Sequence, residues 1–306
     1  LPIAGSFYLG QASHAVGDVR RAVEVLRENS ALTGPRMIER VAGPGLVPIM
    51  SRIWRALALC ELGRFDEALR LIEEALPVVE ALEHPYSLMR VHAGLGAVHA
   101  PRGHLAQAVP ALERAAALVE RWDIALDRQQ NASLLGIASM LSGRHEDGLA
   151  LLERSVEPLF PPRAGSILCR RLGEGYLLAG RRDDALVWAT SALDHARRRG
   201  ARGDEAWALL LLGDILAGPS ASGADEALGC YERARAQADA LGMLPLLARC
   251  HLALGRWYGR AGDVPRARTA LGHAAGLTRS LDLGIWRAES EAALAGLAAT
   301  PAARPA

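Results

Sequence analysis

The sequence predicts an all-α protein built as a solenoid of helical hairpins. Ala, Leu, Arg, Gly and Glu dominate the composition, and all of these except Gly favour helix. Aromatic residues make up only 5% of the chain, so the enrichment that is typical of sheets is weak. In addition, a pattern of small residues recurs at intervals of about 40 residues, which is typical of repeat architectures.

Most copies of the repeat contain a small residue after Leu, a second Gly about seven residues later and an Ala about five residues after that. The second copy has Ala56 after Arg55, the fourth has Gly148 in place of the Ala, and the sixth has two extra residues in its turn. In the first copy these positions are Gly10, Gly17 and Ala22. The first small residues of the seven copies are Gly10, Ala56, Gly96, Gly136, Gly173, Gly213 and Gly255. They follow one another at steps of 46, 40, 40, 37, 40 and 42 residues. We therefore expect seven repeats over residues 1–280.

The residue types of the repeat have a physical explanation. Gly inside a helix costs about 1 kcal/mol relative to Ala, so a recurring helical Gly needs a compensating gain. Close approach of a second helix supplies that gain, because Gly has no side chain in the way. We expect the later alanine of each copy to face the glycine from the second helix. The second Gly, followed by Asp or Arg, is typical of a helix end and a new start.

These offsets match the tetratricopeptide pattern, in which a small residue, an aromatic residue and an alanine occupy fixed places. Tyr176 and Tyr258 stand at the aromatic place. The resemblance implies a right-handed superhelix of about seven hairpins, with longer helices or connections than the usual period of about 34 residues allows. Residues 281–298 carry one more helical pattern and are predicted to cap the stack, and residues 299–306 are predicted to form a flexible tail.

Longer strings resemble the C-terminal region of large bacterial class III adenylate/guanylate cyclases, which join a cyclase domain, an ATPase of the AAA or signal-transduction type and a tetratricopeptide tail. The strings are Leu241–Asp263, Ile285–Glu289, Tyr8–Ala12, Pro44–Pro48 and Glu205–Leu209. Neither the cyclase aspartates nor a Walker A loop can be matched. The chain starts at Leu1 without Met, so we expect a fragment of a longer protein.

One position departs from the cyclase-associated pattern. Where that family usually reads His-Cys-His, this chain reads Arg249-Cys250-His251. The departure argues against a role carried by the first histidine.

Composition argues against several classes of function. A net charge of +1 gives no overall field for nucleic acid or an anionic membrane, and no apolar run is long enough to span a bilayer. All 35 basic residues are Arg, so there is no lysine for a P-loop or a Schiff base. The four cysteines form no CxxC pair, which favours reduced thiols in the cytoplasm over zinc or disulfides.

No catalytic motif, cofactor site or metal site is predicted. The sequence contains no HExxH, GxSxG or GxGxxG pattern. His92, His99 and His104 lie close in sequence, but steps of seven and five residues do not place all three on one helical face. We therefore predict a non-enzymatic protein.

Candidate binding residues follow from the architecture, because the first helix of each hairpin lines the concave side of such a solenoid. The polar residues predicted to face this groove are Gln11, His14, Arg90, Arg170, Glu174, Asp214, Arg249 and Arg256. Their apolar neighbours are Ile53, Leu57, Ile137, Trp207 and Leu252. Such polar groups can anchor the backbone or a carboxylate of a partner peptide. Alternatively, Arg170 and Glu174 pair with each other across one helical turn.

Three functions remain open at this stage. The first is an interaction and regulatory module of a cyclase- or ATPase-containing signalling protein, whose groove binds a protein segment or another domain of the same parent. The second is the sensory tail of an ATP-dependent transcriptional regulator that binds a small effector. The third is a helical toroid enzyme, which is disfavoured because its carboxylates would have to converge in a central cavity.

Overall fold

The computed structural model describes residues 3–38, 45–156, 165–218 and 223–299. Within these ranges the chain forms seventeen α-helices, two short 3₁₀ turns and no strand. The helices are α1 (Ile3–Ala15), α2 (Val19–Val25), α3 (Arg27–Ser30), α4 (Val47–Glu61), α5 (Phe65–Glu73), α6 (Leu76–Ala81), α7 (Pro85–Arg102), α8 (Leu105–Arg121), α9 (Arg128–Leu141), α10 (His145–Arg154), α11 (Gly165–Leu178), α12 (Arg182–Arg199), α13 (Arg202–Leu216), α14 (Ala224–Leu241), α15 (Leu244–Arg260), α16 (Val264–Ser280) and α17 (Gly284–Ala299).

The helices pair into seven hairpins, as the repeat predicts. The pairs are α1 with α2, α4 with α5, α7 with α8, α9 with α10, α11 with α12, α13 with α14, and α15 with α16. We call the first member of each pair the inner helix and the second the outer helix. Successive inner helices also pack on one another, for example α11 on α13 and α7 on α9. The all-α solenoid predicted from the sequence is therefore confirmed.

Close contact between the two helices of a hairpin explains the helical glycine. A Cβ atom built on Gly10 would lie 2.4 Å from Cγ of Leu26, and one built on Gly96 would lie 2.3 Å from Cγ of Leu112. We expected the alanine of the repeat to face the glycine. In these hairpins the nearest atoms instead belong to the residue one helical turn later, while alanines such as Ala22 are fully buried in the same interface.

The second glycine of the repeat ends the inner helix. Gly103 follows α7 with φ 78° and ψ 12°, and its N–H donates to the carbonyl of Ala100. This left-handed conformation favours Gly because a Cβ atom would be strained there. Short turns of this kind bring the outer helix back along its inner partner.

The solenoid coils until it meets its own beginning. The turn of the first hairpin contacts the start of α13, where a Cβ atom on Gly17 would lie 2.7 Å from the backbone nitrogen of Gly203. The turn of the third hairpin contacts the turn before α17, where Arg102 Nη2 donates to Asp282 Oδ2 at 2.8 Å. The concave groove predicted from the sequence is therefore closed by these contacts into a central lumen.

The last helix differs from the predicted capping helix over 281–298. It starts at Gly284, because the chain turns at Asp282, which has φ 52°. Leu294 and Leu297 pack on the core of the last hairpin, as a cap would. The residue just before α17, Leu283, is also fully buried in the core of the first hairpins, so this end of the helix is anchored there. Of the predicted tail over 299–306, residue 299 is the last residue of α17, and residues 300–306 lie outside the described residues.

Candidate functional site

The central lumen is a cavity of about 1480 Å³. All seven inner helices and α17 contribute to its lining. The residue directly after the small position of the repeat faces the cavity in every hairpin: Gln11, Leu57, Ala97, Ile137, Glu174, Asp214 and Arg256. This regularity follows from stacking, since equivalent residues of successive inner helices lie on the same side of the coil.

The structure places all eight predicted polar residues in the lining of this lumen. They are Gln11, His14, Arg90, Arg170, Glu174, Asp214, Arg249 and Arg256. The five predicted apolar neighbours, Ile53, Leu57, Ile137, Trp207 and Leu252, line it as well. The cavity therefore brings together residues that are up to about 245 positions apart in the sequence.

A network of ion pairs occupies one side of the lumen. Arg170 Nη1 donates to Glu174 Oε1 at 2.7 Å, so this pair forms the contact that its spacing of four residues allows. Arg249 lies 3.7 Å from Glu174 and 3.5 Å from Asp214. Asp214 also accepts a hydrogen bond of 2.9 Å from the hydroxyl of Tyr231. The three inner helices α11, α13 and α15 are thus linked through their lumen-facing charges.

Two indole rings flank these arginines. The guanidinium of Arg170 lies 5.2 Å from the ring centre of Trp207, and that of Arg249 lies 5.8 Å from the same ring. Arg249 also lies 5.1 Å from the ring of Trp286 on α17. Cation–π contacts at these distances hold the guanidinium groups in fixed orientations. The polar surface offered to a ligand is therefore preorganised.

One hydrogen bond joins two inner helices that are far apart in the sequence. Trp207 Nε1 on α13 donates to Glu61 Oε2 on α4 at 3.3 Å, across a separation of 146 residues. Burial raises the pKa of the Glu61 carboxyl, and the hydrogen bond from Trp207 opposes that rise. Burial therefore disfavours the charged form of the Glu61 carboxyl.

A second polar group lies between the first and third hairpins. Arg90 is buried, with Nη1 3.3 Å from Asp127 Oδ1 and its guanidinium 5.8 Å from the ring of Trp54. The imidazole of His14 meets the same indole edge-on at 5.5 Å. Burial lowers the pKa of His14, so its imidazole is neutral at pH 7.

Two predicted residues remain: Arg256 lies on the last inner helix, α15, and Gln11 lies on the first, α1. Arg256 forms a 2.9 Å ion pair with Glu289 of α17, with both side chains partly exposed. Gln11 lines the cavity from α1.

Sequence reasoning missed several lining residues. They include Glu61, Gln130, Arg171, Asp204, Trp286 and Glu289. Glu61 stands one helical turn after Leu57 in α4, so extending the inner stripe by one turn at each end would have found it. Trp286 and Glu289 were missed because α17 was interpreted as a cap.

No metal centre is indicated. Within the described ranges, no group of three His, Cys, Asp or Glu side chains is arranged to hold an ion. The rings of His99 and His104 lie 5.9 Å apart, between the last turn of α7 and the start of α8. The buried thiol of Cys169 has its pKa raised to about 11 by burial, which makes it unreactive at neutral pH.

The described helices were also compared with the requirements of a membrane-spanning segment. None of them combines the length and the low polarity that a bilayer-spanning segment requires.

Comparison with known proteins agrees with this architecture. Residues 49–121 match the model of the tetratricopeptide repeat family. No curated protein matches the chain.

Several solved structures share the fold. The Rap conjugation gene regulator of plasmid pLS20, solved with the Phr* peptide, is 13% identical, with a TM-score of 0.67 over 90% of this chain and 73% of that one. A Rap protein complexed with Competence and Sporulation Factor is 14% identical, with a TM-score of 0.62 over 94% of this chain and 86% of that one.

A third similar structure is a signal transduction ATPase with numerous domains from Pyrococcus horikoshii that carries a tetratricopeptide repeat sensor. It is 16% identical, with a TM-score of 0.52 over 91% of this chain and 42% of that one. At these identities the likeness concerns the fold alone. Residues 49–121 are thus a tetratricopeptide repeat region, and the described chain has the fold of a tetratricopeptide-like helical solenoid.

Proposed function

We propose that this protein is a non-catalytic regulatory module that binds a peptide segment in its central lumen. The observation that carries the proposal is the lumen itself, a cavity of about 1480 Å³ lined by every inner helix. Pockets for drug-sized ligands measure about 300–1,000 Å³, so this lumen has room for a chain of several residues.

The chemistry of the lining supports a peptide ligand. Eight arginines and six carboxylates line the cavity together with apolar side chains and three indole rings. A peptide offers backbone amides, charged groups and apolar side chains within a short distance, and this lining has a counterpart for each. The indoles of Trp54, Trp207 and Trp286 supply rigid surface for apolar groups.

The fold comparisons give the proposal a precedent. Two of the proteins that share this fold were solved with the Phr* peptide and with Competence and Sporulation Factor. This precedent concerns only the shape of the solenoid. The support for a peptide ligand of this chain comes from its own lumen residues.

Intrinsic fluorescence tests the proposal directly. A pool of random octapeptides, titrated into the protein, is expected to change the tryptophan emission, because three of the six tryptophans stack on lumen arginines. Trp207→Phe should abolish most of the change. Trp122→Phe is the matched control, since Trp122 is 52% exposed and lies outside the lumen lining. A pool that gives no saturable change at any concentration would refute the proposal.

We further propose that the module belongs to a cyclase- or ATPase-containing signalling protein. The strings that resemble cyclase tails support this context, and so does the similar ATPase, of which this fold makes up less than half. Calorimetric titration with the other domains of the same reading frame tests the idea. A parent gene without any cyclase or ATPase domain would contradict it.

A further inference from the structure

Arg171 differs from the other arginines of the lumen in its surroundings. It lies on α11 beside Arg170, half-buried, and lines the cavity. Its Nη1 donates to Ser133 Oγ at 2.7 Å, and that hydroxyl donates in turn to the carbonyl of Gln130 at 2.9 Å. Among the described residues it forms no ion pair, and its other nitrogens have no hydrogen-bond acceptor.

The other lumen arginines that are not fully exposed have acceptors within the protein. These are Asp127 for Arg90, Glu174 for Arg170, Glu174 and Asp214 for Arg249, Glu289 for Arg256, and the carbonyl oxygens of Asp214 and Ile215 for Arg182. Arg199 and Arg260 also line the cavity but are exposed to water. Within the described lumen, Arg171 is therefore the half-buried arginine that has no ion-pair partner.

An unpaired guanidinium in this position is costly for the free protein. Burial and the neighbouring charge of Arg170 lower the pKa of Arg171 to about 9. A buried charge gains most from a partner that brings both opposite charge and hydrogen-bond acceptors. One edge of the guanidinium is fixed by Ser133, so the remaining edge is held ready for an incoming anion.

The electrostatic potential from nearby carboxylates determines which kind of anion can bind at Arg171. Glu174, Asp204 and Glu61 contribute negative potential at Arg171 without contacting it. Such a background disfavours a doubly charged phosphate and tolerates a single charge. A carboxylate has one charge and two oxygens, which match two N–H groups on the free edge of the guanidinium.

We propose that Arg171 is the subsite that binds a carboxylate of the lumen peptide, supplied by its C-terminus or by an Asp or Glu side chain. The inference rests on the proposed peptide-binding function and names the chemistry of one contact within it. The ion pair replaces solvent around Arg171, and Ser133 holds the guanidinium in the orientation that receives it.

Four synthetic octapeptide pools distinguish the two sources of the carboxylate. One pool contains Asp and Glu and has free C-termini, one omits the acids, one has amidated C-termini, and one lacks both kinds of carboxylate. Retention on the protein is measured by ultrafiltration and mass spectrometry. Each pool is tested against the unaltered protein, Arg171→Gln, Arg171→Lys and, as the matched control, Arg268→Gln, which alters an exposed arginine of α16 outside the lumen lining.

The unaltered protein is expected to retain the pool without carboxylates about 10- to 100-fold more weakly than the best pool, as for loss of a charged hydrogen bond. Arg171→Gln should remove this preference, Arg171→Lys should keep part of it, and Arg268→Gln should keep all of it. Thermal melts followed by circular dichroism verify that each variant is folded. If Arg171→Gln is unfolded, Arg171→Lys supplies the test in its place.

Two failures can be told apart. If peptides bind equally well with and without carboxylates, or if folded Arg171→Gln keeps the preference, the subsite is refuted and the peptide-binding function stands. If no pool binds at all, the peptide-binding function is refuted, and the subsite with it.

Discussion

The lumen has two unlike walls. We name them for the residue that follows the small position of the repeat: α4, α7 and α9 form the apolar wall, although they also carry Glu61 and Arg90, and α11, α13 and α15 form the charged wall. At the position after the small residue of the repeat, the apolar wall presents Leu57, Ala97 and Ile137, and the charged wall presents Glu174, Asp214 and Arg256. The same repeat position, placed by the same packing rule, thus carries different chemistry in the two halves of the coil.

This difference shows which features of the repeat serve the fold and which serve the site. The small residue before each of these positions is kept in both walls, because it lets the outer helix approach. The residue after it faces the lumen and is free to vary. A ligand that spans the lumen therefore meets apolar surface on one side and oriented charges on the other.

The largest expected effect on the free energy of unfolding comes from a difference in packing between the two walls. Gly96→Ala in the apolar wall would place a Cβ atom 2.3 Å from Leu112 Cγ, whereas Gly173→Ala in the charged wall would meet Leu211 Cδ2 at 3.1 Å. Overpacking costs about 1–3 kcal/mol, and replacing a helical Gly by Ala returns about 1 kcal/mol. We expect Gly96→Ala to lower the free energy of unfolding by about 2 kcal/mol and Gly173→Ala to leave it nearly unchanged.

Urea unfolding followed by circular dichroism measures both variants. Equal losses for the two would mean that the walls are packed alike, contrary to the distances in the structure.

The second comparison concerns ligand binding. Arg249→Gln in the charged wall is expected to weaken peptide binding by about 1.5–3 kcal/mol and to reduce its salt dependence, because a charged contact is lost. Ile137→Ala in the apolar wall should weaken binding by about 1 kcal/mol with unchanged salt dependence. Titrations at two salt concentrations test this, and identical salt dependence for both variants would abolish the distinction between the walls.

The third prediction uses Glu61, a carboxylate on a helix of the apolar wall. Its pKa in the folded protein is raised by burial above the value of about 4.3 expected in the unfolded chain. The folded state therefore binds more protons between these two pKa values, and the free energy of unfolding falls as pH rises through that window. Glu61→Gln removes this penalty and keeps an acceptor for Trp207.

We expect Glu61→Gln to raise the thermal midpoint at pH 7 and to lose its advantage as the pH falls towards 4. Glu289→Gln is the control, since it removes a partly exposed pair and should lower the midpoint slightly. A Glu61→Gln variant that is less stable than the parent at pH 7 would show that the carboxylate is well accommodated.

The smallest effect is expected for Arg256→Gln. The ion pair of Arg256 with Glu289 leaves side chains 46% and 41% exposed, so water screens most of its energy. We expect a change below about 0.5 kcal/mol in the free energy of unfolding, measured by the same urea titration. A larger loss would mean that the charged wall is held together by its ion pairs rather than by its packing.

Much of the fold could be predicted from the repeat, because the residues that define each hairpin lie close together in the sequence. The Leu-Gly pair, the turn glycine and the alanine lie within about fifteen residues, and they fix one hairpin without reference to the rest of the chain. The inner stripe follows from helical periodicity, which is why residues such as Glu174 and Arg249 could be placed in the lining. The partner of Gly10, Gly96, Gly213 and Gly255 was misjudged by one turn, because packing between two helices depends on their relative shift along the axis.

The sequence by itself determined the hairpins and the side of each inner helix that faces inward, since both depend on neighbours within one repeat. Only the tertiary structure decided that the coil meets itself at Gly17 and Gly203 and that Glu61 accepts a hydrogen bond from Trp207 across 146 residues. It also decided that Arg171 has no acidic partner among the residues that the structure describes. These features depend on the small rotation between successive hairpins summed over the whole coil, and no single repeat records that sum.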